Sequence, residues 1–173
     1  MSTLLLNEVQ SLTGKKILGT TGSILQVVQV VKNDTFTAAA NGTALLVTGL
    51  AASITPTNSN NKIWILGHIM YSSTGTTYGG WMTRNGTAIG LGLSASGQQQ
   101  VSMGMSFPGD SNQSNTFVYS FLDSPGTTSS VTYQFYVNND NGNAIYINRS
   151  VNDQGNTTGK RGISTITLLE VVA

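Results

Sequence analysis

Apolar and polar residues alternate along most of this chain in short runs, and turn-forming residues interrupt them about every ten positions. The runs are Ile24–Val31, Ala44–Leu50, Lys62–Tyr71, Tyr78–Arg84, Thr87–Leu91, Val101–Met105, Thr116–Leu122, Ser130–Asn138, Ala144–Arg149 and Ile163–Val172. Each is rich in β-branched or aromatic residues, and no helical pattern of 10–15 residues separates them. The pattern predicts an all-β chain of two packed antiparallel sheets. Three Asn-Gly pairs, at Asn41, Asn85 and Asn141, suit tight hairpin turns because both residues tolerate positive φ. The pair at Asn85 lies directly between two runs and predicts a hairpin.

Several runs declare their faces. Val131, Tyr133, Phe135 and Val137 point one way, and Thr132, Gln134 and Asn138 the other; Phe117, Tyr119 and Phe121 likewise share a face. Lys62–Tyr71 is different. Ile63, Ile65 and Ile69 fall on one face, while Trp64, Leu66 and Met70 fall on the other, with His68 among them. A strand that is apolar on both faces is covered on both, and a sandwich core covers only one. The second face, Trp64, Leu66, His68 and Met70, is expected to meet a neighbouring subunit; a loop or the N-terminal segment is the alternative cover.

Residues 1–22 depart from the β pattern. Leu5, Val9 and Leu12 fall at i, i+4 and i+7, Ser2 suits a helix start and Gly14 a helix stop. A helix this short is marginal in water, so the segment is read as an arm that orders by docking. Its apolar residues Leu4, Leu5, Leu6, Val9 and Leu12 are the expected attachment points, and 23–173 is the head domain. The N-terminal leucines lack the basic region and longer apolar run of a signal peptide. No stretch approaches the roughly 20 apolar residues of a membrane span.

Composition sharpens this picture by what it withholds. Of 173 residues only 9% are charged, against roughly 25% in ordinary soluble chains. Asn, Ser, Thr and Gly stand in their place, so the expected surface is wet but nearly neutral. A net charge of +1 offers no cationic track for nucleic acid. Lys160-Arg161 is read as a solvated tip. With no cysteine, thiolate and disulfide chemistry are absent.

Candidate chemistry is sparse. The acids are Glu8, Asp34, Asp110, Asp123, Asp140, Asp153 and Glu170, no two within ten positions. Asp110, Asp123, Asp140 and Asp153 sit among turn residues, where Asp caps its own backbone. Folding can still pair distant carboxylates, which keeps a polysaccharide depolymerase as a remote alternative. His68 is the only histidine and is expected to be buried or at an interface. Asn139–Asn143 fails the calcium-loop register, and Gly90-Leu91-Gly92 precedes no helix. Six Asn-x-Ser/Thr sequons arise in a chain this rich in those residues. No catalytic residue, cofactor or metal is expected. Tyr71, Tyr78 and Trp81 lie among Ser, Thr and Gly; aromatics so placed form a contact surface, or else pack in the core.

Several linked segments carry a family likeness. Ile54-Thr55-Pro56-Thr57-Asn58-Ser59-Asn60-Asn61-Lys62-Ile63, Arg84-Asn85-Gly86-Thr87-Ala88-Ile89-Gly90, Phe121-Leu122-Asp123-Ser124-Pro125 with Val131-Thr132-Tyr133, and Ser164-Thr165-Ile166-Thr167-Leu168-Leu169-Glu170 resemble the C-terminal domains of tailed-phage structural proteins of marine and cyanobacterial phages. The resemblance spans about residues 22–173. It implies a jelly-roll head of the tumour-necrosis-factor and C1q shape, a homotrimer, attachment to the major capsid protein or another virion protein through the N-terminus, and no catalysis. With only a short arm and no shaft, a capsid decoration (cement) protein or head knob is expected, made in a host cytoplasm and carried on the virion surface. The alternative is the receptor-binding tip of a short tail fibre that recognises a host-surface glycan or protein.

Overall fold

A computed structural model describes residues 20–39, 44–75, 78–104, 110–139, 143–155 and 157–173, the side chains of 39, 78 and 139 excepted. The predicted arm residues Leu4, Leu5, Leu6, Val9 and Leu12 and the Asn-Gly pairs at Asn41 and Asn141 lie outside them. The described residues form strands β1 (Ile24–Lys32), β2 (Phe36–Ala39), β3 (Leu45–Ile54), β4 (Lys62–Ser73), β5 (Tyr78–Arg84), β6 (Thr87–Ile89), β7 (Met103–Gly104), β8 (Asn115–Asp123), β9 (Val131–Asn139), β10 (Ala144–Ile147) and β11 (Ser164–Val171). None of these residues is helical.

The first sheet is built on β4. Strand β8 pairs along one of its edges from Ile63 to Tyr71, while β11 and then β10 share the other. Beyond β11 lies β1, and beyond β10 lies β2. In the second sheet the order is β3-β9-β5, and the far edge of β5 is shared by β6 and β7. All these pairs are antiparallel. The long strands therefore read β1-β11-β4-β8 in one layer and β3-β9-β5-β6 in the other. The chain crosses between layers at β2–β3, β3–β4, β4–β5, β7–β8, β8–β9 and β9–β10, as a jelly roll of two Greek keys does.

Local chemistry explains the corners. Arg84 faces Thr87 across a two-residue turn in which Asn85 and Gly86 have φ of 49° and 83°, the predicted hairpin. The sequence pattern missed β2, a four-residue edge strand too short for alternation to register. Asn148 also takes a positive φ, 63°, and is fully buried. Its Nδ2 donates to the carbonyls of Lys32 and Asp34, and its Oδ1 accepts from the Ser164 hydroxyl, which ties β1, β4 and β11 together. Burial removes its sequon from glycosylation.

Ile63, Ile65 and Ile69 of β4 lie wholly inside, packed with Tyr133, Phe135, Ile166 and Leu168. Fully burying each such side chain contributes about 1.5–3 kcal/mol. Two carboxylates are also enclosed. Asp123 ends β8, and it does not cap its own turn as the sequence suggests. It takes both oxygens to Arg84 Nη1 (3.0 and 3.1 Å) and accepts the Tyr133 hydroxyl at 2.7 Å, bridging the layers. Burial and that bond to Asp123 push the Tyr133 phenol far above its ordinary value. Tyr119, buried beside Asp123, is pushed up to about 12, chiefly by burial.

Glu170 has no exposed surface, and no cation pairs with it among the described residues. It accepts from Gln26 Nε2 (2.6 Å), from the Thr57 amide and hydroxyl (2.7 Å each) and from Asn61 Nδ2 (2.6 Å). One carboxylate so fastens the β3–β4 crossover to β1 and β11. Burial opposes its ionisation, but the bonds from Asn61, Gln26 and Thr57 outweigh burial and hold its pKa below 4.5. A carboxyl lowered by folding stabilises the fold above its unfolded pKa and loses that contribution as pH falls through the folded value. Replacing Glu170 with Ala should cost about 3 kcal/mol at neutral pH by urea unfolding. The gap between wild type and variant should narrow as the pH falls below 4.5; a gap that stays constant as the protein is acidified contradicts this role.

Candidate functional site

The outer face of the first sheet is apolar where a solvated sheet is ordinarily polar. Alternation sends Val27, Gln29 and Val31 outward from β1, Thr165, Thr167 and Leu169 from β11, Trp64, Leu66, His68 and Met70 from β4, and Val118, Ser120 and Leu122 from β8. The registers align them in rows. Val27, Leu169, Trp64 and Leu122 form one, and Val31, Thr165, His68 and Val118 form another. Between them runs Gln29, Thr167, Leu66 and Ser120. Two side-chain bonds knit this face: Gln29 Nε2 donates to Thr167 Oγ1 at 2.8 Å within the middle row, and Trp64 Nε1 donates to Ser120 Oγ at 2.9 Å from the neighbouring one.

Val118 is 75% exposed and Trp64 38%, and Val27, Val31 and Leu122 are exposed as well. No carboxylate lies in these rows. Lys62, paired with Val171 at one corner, and His68 are the basic groups of the face. At that corner an open hollow of about 400 Å³ is lined by Gly22, Ile24, Trp64, Leu122 and Val171. It sits beside the start of β1 and the end of β11, where Gly22 donates to the Val172 carbonyl and Val172 to that of Ser23.

The structure thus brings Trp64, Leu66, His68 and Met70 onto one outer face, though not equally. Trp64 and His68 are exposed, whereas Leu66 and Met70 are half-buried, Met70 against Gly162. Val27, Leu169, Val118 and Leu122 extend the same surface and were not singled out in the sequence. Their signal is faint but present, since Val27-Val28 and Leu168-Leu169 are adjacent apolar pairs that necessarily straddle a strand.

The two described members of the aromatic trio, Tyr71 and Trp81, do not share a surface. Tyr71 is only 3% exposed and stacks on Phe117 with ring centroids 4.9 Å apart, so it is a core residue. The side chain of Tyr78 lies outside the described residues. Trp81 is half-buried on the outer face of the second sheet, away from the rows above. Of the turn acids, Asp110 caps the Asn112 amide as expected, while Asp153 pairs with Arg161 at 2.7 and 2.9 Å. The hydrogen bond to Arg161 holds the Asp153 carboxyl below its ordinary value.

No protein-family model and no curated protein sequence matches the chain. Among solved structures it is similar to chains from infectious bursal disease virus. The Gt strain virus gives a TM-score of 0.43 at 8% identity, covering 97% of this chain and 42% of that one. The VP2 subviral particle gives 0.43 at 10% identity, with 98% and 42% covered. The derived T=1 particles give 0.41 at 9%, with 84% and 36% covered. The overlap is loose, and this chain spans about two fifths or less of those it matches.

The two kinds of position separate in stability. Tyr71→Ala should lose about 3–5 kcal/mol by denaturant unfolding, as large core aromatics do. Val118→Ala should change the stability of the isolated subunit by less than about 0.5 kcal/mol.

Proposed function

We propose that this chain is a non-enzymatic virion structural protein of tailed-phage type, a homotrimer built through the outer face of its first sheet. The observation that carries the reading is the pair of apolar rows around Trp64 and Val118 on a face without a carboxylate. A second copy suits this face because its rows hold no carboxylate and few polar groups, so little charge or hydrogen bonding must be given up when apolar residues close over one another. The family likeness of residues 22–173 supports a trimer and a virion location. The jelly-roll order of the strands agrees with the head that likeness implies.

In this reading the sheet face holds the subunits together, and Leu4, Leu5, Leu6, Val9 and Leu12 fasten the trimer to a shell. Three arms on one body multiply attachment points, and linked sites exceed single-site affinity by orders of magnitude. The role is mechanical: apolar area buried between subunits, at about 25 cal/mol per Å², reinforces the assembly.

Light scattering at micromolar concentration should give three times the 18.2 kDa subunit mass. Val118→Asp combined with Leu122→Lys should shift the protein to the subunit mass without unfolding it, since both side chains are exposed in the single chain. Removal of residues 1–19 should leave the trimer intact and abolish binding to arm-free capsids. A wild-type chain that stays monomeric overturns the assembly reading. Undiminished capsid binding by the truncated chain overturns the role of the arm.

A further inference from the structure

We infer that the outer face of the second sheet holds a binding site for a neutral carbohydrate, with Trp81 and Tyr136 as its platform. The two aromatics are direct partners across β5 and β9, so their rings lie in one row. Small residues surround them, and an open groove of about 270 Å³ is lined by Ala44, Trp81, Thr83, Gly86, Ala88 and Tyr136. That is below the roughly 300–1,000 Å³ of clefts for drug-sized molecules and suits a single ring with its substituents.

Trp81 is held ready. Its Nε1 donates to the Gln100 carbonyl at 2.8 Å, and Gln100 is itself fixed by donating to the Gly92 carbonyl at 2.7 Å. The six-membered ring lies across Gly79, where a Cβ would stand 2.9 Å from the indole and 2.7 Å from Val101. Only glycine leaves room for the ring there. An aromatic fixed before binding loses little side-chain entropy when a ligand arrives.

The chemistry of the lining selects the ligand. None of the six lining side chains is charged, and the nearby Arg84 is turned to Asp123. An anion finds no cation here. A peptide strand finds no free edge on β5, because β6 and β7 occupy it. The Tyr136 hydroxyl and the Gln134 side-chain amide carry no hydrogen bond among the described residues, and Gln134 sits beside Thr83 in the adjoining row. Ring faces with negative π-density meet the C–H face of a sugar, and a hydroxyl and an amide that both donate and accept meet its hydroxyls. The site lies on the sheet opposite the proposed trimer face and does not depend on that reading.

The chain has two tryptophans, so indole N–H signals report the two sheets separately. Titrate the full protein with neutral mono- to trisaccharides of glucose, galactose, mannose and N-acetylglucosamine, and follow both indoles by NMR. The Trp81 signal should move to saturation in the millimolar range with at least one sugar, unaffected by salt, while the Trp64 signal stays still. Trp81→Ala and Tyr136→Ala should weaken binding at least tenfold. Ala88→Leu, which fills the groove from edge strand β6 and leaves the core untouched, should do the same and carries the test if an aromatic variant fails to fold. A Trp81 signal unmoved by every sugar, or equal affinity in Ala88→Leu, overturns the site.

Discussion

Strand β4 carries large apolar side chains on both faces, and a two-layer sandwich has room to bury one face of any strand. The Ile63, Ile65 and Ile69 face goes inward because branched aliphatic side chains bring no polar atoms with them. Trp64 and His68 carry ring nitrogens that cost free energy when buried without partners, so theirs is the face left outside, and the Trp64 N–H is satisfied by Ser120 on the neighbouring strand. The longest strand of the sheet, with β8, β11 and β10 all paired to it, is thus the one whose outer face water covers least favourably.

The low charge of the chain has a matching consequence inside and out. With few ionic groups available, the fold concentrates them at joints. Asp123 with Arg84 and Tyr133 clamps the two layers, and Glu170 draws Thr57 and Asn61 of the crossover onto β11 using neutral donors alone. What remains for the outer sheet faces is amides, hydroxyls and apolar groups, with Lys62 and His68 the basic groups of the first. Such surfaces do not steer partners from a distance; they select by shape and by hydrogen bonds at contact. The two outer faces differ accordingly. The first is broad and apolar, with Gln29, Thr167, Trp64 and Ser120 bonded across its strands. The second is narrow, aromatic and carries open hydrogen-bonding groups around a recess.

The acids show how far local reading reaches. Asp110 behaves as its turn setting predicts, capping an amide two residues on. Asp123 has the same kind of neighbours in sequence, Ser124 and Pro125, yet it ends a strand and points into the sandwich, where Arg84 and Tyr133 wait on other strands. Asp123 follows an apolar run and Asp110 follows Pro108-Gly109, but neither setting names the distant Arg84 and Tyr133 that Asp123 meets. The same holds for Tyr71: its position beside Ser72 and Ser73 suggests a loop, but β4 continues through those serines, and their hydroxyls are taken up by carbonyls of Arg149 and Ala144.

Most strand positions (β2 excepted), the Asn85-Gly86 hairpin, the all-β class and the double apolar character of Lys62–Tyr71 were determined by the sequence itself. Alternation with a period of two and the steric freedom of Asn-Gly are properties of a few adjacent residues, so they are written locally. Only the tertiary structure decided which face of β4 points inward, that Val27, Leu169, Trp64 and Leu122 share a row, that Tyr71 belongs to the core, and that Trp81 stands beside Tyr136. Those outcomes depend on which strands pair and in what register. Pairing is settled by the joint burial of residues distant in the chain, and a strand's own pattern carries no record of its partner.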